Sequence, residues 1–229
     1  MNFESELVHG ILIKRYKRFL ADVRLDDGSV ITAHCTNSGS MKTCIEEGAE
    51  VYLSDSNNPK RKTRYTWEMI KIDDSWVGVN TSNANKLGME LLENRLIKGL
   101  DCYAHVRREV KFGDSRFDLF VKNDKDECFI EIKNVSMKDG DYAVFPDAVT
   151  TRGQKHLQTL LEVKKAGMRA VMLYIVQRTD VSKFAPAVEI DPKYAELLSH
   201  VHKNGVEVFV AQMRVSPEGI SLEGMLEYE

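Results

Sequence analysis

The heptapeptide A-V-M-L-Y-I-V, Ala170 to Val176, is apolar throughout. Such a run suits a strand covered on both faces, and covering both faces of a sheet takes helices on either side. The surrounding elements supply them. Leu87, Leu91, Leu92, Leu96 and Ile97 fall at helical spacing and predict a helix over 86–98, with Gly99 where a C-terminal cap would fall. Strand-like runs follow around 102–110, 116–121 and 128–135. A helix over 152–166, carrying Leu157, Leu160 and Leu161, ends at Gly167, and a further helix over 192–203 precedes G-V-E-V-F-V-A and a hairpin around Pro217 to Gly219. The order helix, three strands, helix, strand, helix, strand makes this part of the chain an α/β domain.

The preceding residues have a different texture. From Val8 to about Val79, short apolar alternations (V-H-G-I-L-I, F-L-A-D-V-R-L, V-I-T-A-H-C, V-Y-L-S and T-R-Y-T-W-E-M-I-K-I) are separated by turn residues, including a D-D-G hairpin signal. About five strands in this space predict a small barrel of the OB type. The expected division is 1–82 for the OB-like β-barrel and 83–229 for the α/β domain, α+β overall. The chain shows no internal repeat and no low-complexity tract.

The 229 residues, 43% hydrophobic and 29% charged, describe an ordinary globular protein. The formal net charge of −3 lacks the overall basic signature of a dedicated nucleic-acid binder, so such a role has to rest on local patches. Cys35, Cys44, Cys102 and Cys128 show no C-x-x-C pair and no zinc-finger spacing, which reads as reduced thiols. The N-terminal stretch lacks a signal-peptide apolar region, and no window reaches the ~18 apolar residues of a spanning helix. A cytoplasmic location without membrane contact is expected.

The stretch S-R-F-D-L-F-V-K-N-D-K-D-E-C-F-I-E-I-K-N-V, Ser115 to Val135, sets charges inside two apolar runs. Strand alternation predicts Phe117, Leu119 and Val121 on one face, with Asp118 and Phe120 on the other. In the second run Ile130 and Ile132 oppose Phe129, Glu131 and Lys133. If the runs pair as neighbours, two carboxylates and an ammonium converge. Paired acids repel, and a hard divalent cation relieves that by taking their oxygens as ligands. Mg²⁺ (or Mn²⁺) on Asp118 and Glu131, with the Ile132 carbonyl as a further oxygen, would activate water that Lys133 orients or deprotonates. The plain alternative is a surface pair of Glu131 and Lys133 contributing about 0–1 kcal/mol.

A helix with an acid, a strand with Asp118, a strand with E-I-K and a helix with Gln154 resemble the PD-(D/E)XK nuclease core over roughly 83 to 213, with Phe117 in place of the proline. The resemblance implies a catalytic set of Asp118, Glu131, Lys133, Gln154 and Glu90, with Glu93 an alternative to Glu90. Longer strings go further: R-Y-K-R-F-L-A-D-V, H-C-T-N-S-G-S-M, N-P-K-R-K, V-N-T-S-N-A-N, F-P-D-A-V-T-T-R-G-Q-K-H-L and I-D-P-K-Y-A. In this order they resemble the sugar fermentation stimulation protein A family along the whole chain, with Thr36 and Ser38 where proline and threonine are expected. That resemblance implies DNA binding and an association with regulation of maltose and other sugar use.

DNA, single-stranded or bound without sequence preference, is the expected partner, with RNA the alternative. An OB barrel binds strands through a cationic groove and aromatic stacking. The clusters Lys14, Arg15, Tyr16, Lys17, Arg18 and Lys60, Arg61, Lys62, Arg64 with Tyr65 supply both, although residues 1 to 84 carry eleven Lys/Arg against twelve Asp/Glu. Arg152 and Lys155 at a helix start suit phosphate. His156 reads as a hydrogen-bonding partner rather than a catalytic residue. Asp147, in the F-P-D loop, either contacts a metal or caps structure.

Overall fold

A computed structural model describes residues 1–58 and 60–228; Pro59, within the second basic cluster, lies outside them. Alternation of buried apolar side chains produces β1 (Val8–Tyr16), β2 (Leu20–Leu25), β3 (Val30–His34), β4 (Glu50–Asp55), β5 (Tyr65–Ile72) and β6 (Ser75–Gly78). Their order is β3-β2-β1-β4-β5-β6, and a parallel β3–β5 pairing at Ala33–Tyr65 and His34–Thr66 closes the barrel. Leu12, Val23, Leu53, Trp67 and Ile70 fill it.

The second domain places α1 (Asn83–Glu93) before β7 (His105–Phe112), β8 (Ser115–Lys122) and β9 (Glu127–Val135). Then follow β10 (Lys138–Asp139), β11 (Tyr142–Phe145), α2 (Thr151–Lys165), β12 (Arg169–Val176), β13 (Lys183–Pro186), α3 (Pro192–Lys203), β14 (Glu207–Ser216) and β15 (Gly219–Met225). The main sheet runs β15-β14-β12-β9-β8-β7, with β12 parallel to both β9 and β14. Its two faces carry separate cores. Leu119, Ile130, Ile132, Val171 and Leu173 pack under α1, while Phe120, Phe129, Met172 and Tyr174 pack under α2 and α3. The heptapeptide 170–176 lies in β12 and contributes to both cores, as its composition requires.

Three local expectations need correction. The α1 helix starts at Asn83 and stops at Glu93, not 98. Its end is a Schellman turn in which Leu96 N–H reaches the Leu91 carbonyl at 2.8 Å and Arg95, at φ 56°, occupies the left-handed position usually given to glycine. Leu96 is therefore exposed rather than part of the apolar stripe. On β8, Phe117 packs with Phe120 under α2, opposite Leu119 and Val121, so face alternation slips at Asp118. Across from Asp118 lies Glu109, whose φ of 56° marks the irregularity on β7. The small β10-β11-β13 sheet is absent from the sequence reading, its strands being too short to leave a periodic signal.

The domains are joined through buried polar contacts. Gly78 N–H donates to the Gln177 carbonyl at 2.8 Å. A Cβ at Gly78 would lie 2.5 Å from Gln177 Oε1, so only glycine allows the approach. Glu68, in the barrel, accepts from Ser54 and from the amides of Asn80 and Asn83 at the α1 start. Arg178, 0% exposed, forks onto Asp180 at 2.6 and 2.7 Å and donates to the Ser136 carbonyl and to Thr43 of the barrel loop. Among the described residues no helix is long and apolar enough to cross a membrane, and all four cysteines are free.

Arg178→Ala leaves a carboxylate and a carbonyl short of their donor at the domain seam, and a loss of about 3 kcal/mol is expected in chemical denaturation. Burial pulls Asp180 upward, but the Arg178 and Lys138 hydrogen bonds hold it down at about 2. Its folded pKa is thus depressed, so its contribution is complete above the unfolded value of 3.8 and fades as pH falls toward 2. The parent–variant stability gap is expected to narrow over that window; a gap independent of pH would contradict the pairing.

Candidate active site

The ladder between β8 and β9 ends where Leu119 faces Ile130. Continuing that register would set Asp118 across from Glu131, and there the strands part. The freed Ile132 N–H finds its acceptor in the Asp118 side chain, with Oδ2 at 2.8 Å. Asp118 Oδ1 accepts from Asn85 of α1 at 2.9 Å. Close seating of α1 is what brings Asn85 there: at Gly88, one turn on, a Cβ would lie 2.4 Å from Ile132 Cδ1.

Glu131 is 2% exposed on the α2 side of the sheet. Its Oε1 takes both Lys133 Nζ, at 2.5 Å, and His156 Nδ1 from α2, while Lys133 and His156 lie 3.4 Å apart. Its other oxygen, Oε2, is buried and has no hydrogen-bond partner among the described residues. Burial pushes Glu131 upward, yet the His156 hydrogen bond and the Lys133 charge hold it below the ordinary carboxylate value. Asp118 moves the opposite way: burial, and then the Glu131 charge, raise it above the usual value. The two acids thus sense each other.

Of the expected catalytic set, the structure pairs Glu131 with Lys133 and sets Asp118 within electrostatic reach of both. Gln154 is engaged elsewhere. Its Nε2 donates to Asp191 at 2.9 and 3.1 Å, tying α2 to the carboxylate that caps α3 at Tyr194. Glu90 does not approach Asp118 but accepts from the Met1 ammonium at 2.7 Å, and Glu93 is exposed. Glu90, Glu93 and Asn85 all lie off the buried stripe of α1, and it is Asn85 that reaches Asp118, in the place expected of an acid. Ile132 is held by its amide. His156, a bystander by sequence, is the α2 residue at the site. Its signal is spacing, because Gly153, His156, Leu160 and Val163 form the buried face of α2 and a histidine there has to find a polar partner.

Among the described residues no group of three or more His, Cys, Asp and Glu side chains gathers as a metal nest. Two carboxylates with one open oxygen fit a hard cation that keeps several of its waters, rather than a fully protein-ligated one.

The basic clusters are partly consumed by the fold. Arg15 donates to the carbonyls of Arg18, Asn37 and Gly39, fastening the β1–β2 hairpin to the loop after β3. Tyr16 donates to Asp22 at 3.0 Å, Lys14 lies 3.9 Å from Asp22, Arg61 donates to Thr66, and Arg64 pairs with Asp55. Lys17, Arg18, Lys60 and Lys62 are exposed, as are Arg152 and Lys155 on the first turns of α2. Tyr16, the aromatic of the first cluster, is half-buried, and the exposed aromatic is its neighbour Phe19, 51% accessible.

Family models match this arrangement in two parts: an SfsA N-terminal OB domain over residues 13–79, and a sugar fermentation stimulation protein RE domain over residues 82–219. The chain belongs to the sugar fermentation stimulation protein family. Family homologues from Geotalea uraniireducens and Geobacter sulfurreducens are 47% and 50% identical over 227 and 217 residues, covering 99% and 94% of this chain and 98% and 93% of theirs. The structure of Pyrococcus furiosus SfsA in complex with Ca²⁺ is similar at a TM-score of 0.91 and 29% identity, covering 100% of this chain and 98% of that one. Barrel and α/β domain are thus shared with that structure along the full length of this chain.

Replacing Glu131 by Gln removes the neighbouring charge that helps raise Asp118, so the Asp118 pKa is expected to fall in carbon-detected carboxyl NMR titrations. An unchanged Asp118 midpoint in Glu131→Gln would show that the two acids do not interact.

Proposed function

We propose that this member of the family is a divalent-metal-dependent phosphodiesterase acting on DNA, with Mg²⁺ or Mn²⁺ held by Asp118 and Glu131. The observation that carries the reading is Glu131 Oε2, a buried, ionised oxygen without a donor beside a second, destabilised carboxylate. A buried charge in that state calls for a cation. The Ca²⁺ named for the Pyrococcus furiosus relative is a hard, oxygen-seeking ion of the same class.

Bound there, a divalent ion would supply Lewis-acid polarisation of a phosphate oxygen and a water of lowered pKa. The chain's own groups do the rest. Lys133 stands beside Glu131, placed to orient water or to neutralise charge on the phosphate. His156 fixes the Glu131 carboxylate from α2. Asp118 is fixed in turn by Asn85 and the Ile132 amide, so neither acid has to be ordered at the moment of reaction. Exposed Lys17, Arg18, Lys60, Lys62, Arg152 and Lys155 would hold the phosphate backbone. One observation favours a second reading, a DNA-binding regulator without turnover: Lys133 is spent on Glu131 rather than free.

Incubation of plasmid and oligonucleotide DNA, and of RNA, with Mg²⁺ or Mn²⁺ separates the readings. Hydrolysis is expected, with Asp118→Ala and Lys133→Ala lowering kcat/KM by about 10²–10⁴-fold. Absence of cutting on every substrate would leave only the regulator, and variants that cut as well as the parent would remove Asp118 and Lys133 from the catalytic site. Binding measured in EDTA is expected to weaken as salt rises, and Lys17→Ala with Arg18→Ala should reduce the log–log slope by about one for each phosphate contact removed. A slope that is flat, or unaltered by the double change, would move the footprint off the barrel hairpin.

A further inference from the structure

Between the barrel and the second domain lies a cleft of about 410 Å³. One wall is the barrel loop Thr36 to Gly39; the other is the end of β9 and the segment from Phe145 to Thr150 that leads into α2. Asn134, the residue after Lys133, lines it, about 10 Å along β9 from Glu131 at the rise of a strand. Crevices beyond the carboxyl ends of parallel strands are where α/β sheets commonly receive ligands.

We propose that this cleft receives one unstacked nucleotide of the substrate strand and reads a base bearing an exocyclic amino group; this rests on the phosphodiesterase reading of the neighbouring carboxylates. The charge of the lining argues for a base over a phosphate. Arg18 and Asp147 are its two charged residues and formally cancel, and the remainder are hydroxyl, amide and apolar groups.

Asp147 is the reader. A Cβ at Gly39 would fall 1.8 Å from Asp147 Oδ2, so the loop gives up a side chain to seat that carboxylate. Yet Asp147 accepts no hydrogen bond among the described residues. A carboxylate held against a wall and left without a donor is matched by an amino N–H₂, the pairing by which acids read the cytosine N4 amine. Asn134 adds a donor: its Oδ1 is taken by Gln177 Nε2, which leaves its Nδ2 for a ring nitrogen or carbonyl of the same base. Ser38, exposed on the loop, adds a hydroxyl. Phe145, Pro146 and Val149 supply apolar surface for the ring. Next to Arg18 sits the exposed Phe19, its carbonyl bonded to Cys35 N–H at 2.8 Å, which places an aromatic beside the loop on which the adjoining base can stack. Thymine and uracil present a carbonyl where the amine would be, and face the carboxylate with lone pairs.

The test is fluorescence anisotropy of labelled dC and dT octamers on the full chain in EDTA, so that binding is read without hydrolysis. The parent is expected to favour dC by about tenfold, the size of one well-made polar contact. Asp147→Ala should bring the two oligonucleotides together, Asp147→Asn should narrow the ratio, and Ser38→Trp, which fills the cleft, should weaken dC binding; thermal melts verify that each variant folds. Equal binding of dC and dT by the parent overturns the proposal, as does an Asp147→Ala variant that keeps the parental ratio. Free dCMP binding as tightly as the dC octamer would overturn the strand as occupant and make the cleft a mononucleotide site. A protein that never cuts, yet prefers dC through Asp147, keeps this inference and loses hydrolysis. One that cuts with an unchanged KM and dC:dT ratio in Asp147→Ala keeps hydrolysis and loses the cleft.

Discussion

The site depends on one backbone amide that the sheet leaves without a strand partner. Where β8 and β9 part, Ile132 N–H is buried beside the α1 core and must find an acceptor, because an orphaned buried donor costs about 1–3 kcal/mol. Asp118 supplies it. An acid accepted for that purpose is fixed in place by the main chain, where the β8–β9 ladder has ended and Glu131 continues β9. A neutral acceptor such as Asn would satisfy the amide equally well. The choice of a carboxylate, raised by burial and by Glu131, is therefore not explained by the sheet alone.

Glu131 carries the complementary argument. Its Oε1 is crowded by an ammonium and an imidazole while Oε2 has nothing, although both oxygens are buried. A purely structural ion pair would spread its donors over both oxygens, since that is how buried carboxylates recover their lost hydration. Concentration of donors on one side keeps the other side open. Asp191, elsewhere in the same domain, shows the contrast: its oxygens share Thr150 N–H, Tyr194 N–H and the Gln154 amide, and neither is left without a donor.

Much of this is legible in the sequence, for identifiable reasons. Two-sided burial of 170–176 dictates the layer order, and Pro192 behind Asp191 sets the α3 start, because each signal is local and strong. Asp118, Glu131 and Lys133 stand out since a charge inside an apolar strand is rare enough to notice. Face assignment fails at Phe117 because a slip in alternation is a property of the β7–β8 pair, set by Glu109 across the ladder, and no single strand records it. The periodicity overruns the end of α1 because Arg95 stands where glycine normally announces the stop. Gln154 and Glu90 enter the catalytic set by resemblance alone, and each has found another partner, in Asp191 and in the Met1 ammonium. His156 is readable from its place on the α2 stripe, but only once its partner is known to be an acid.

The same distinction changes how the barrel's basic residues count. By sequence, Lys14 to Arg18 is a five-residue cationic and aromatic patch. In the fold, Arg15 and Tyr16 are internal fasteners, and what remains outward is Lys14 on the strand and Lys17 and Arg18, with Phe19, at the hairpin tip. Arg15 fastens that tip to the carbonyls of Asn37 and Gly39, the loop that meets Asp147 of the second domain. The cation lost to solvent thus holds the barrel's exposed groups against the rim of the α/β domain. The hairpin tip and the end of β9 are in this way brought to one cleft, lined by Arg18 and by Asn134. Under the proposed nucleic-acid reading, a strand held at the hairpin tip would run toward β9, and with a net charge of −3 its guidance would rest on these local cations rather than on a broad basic face.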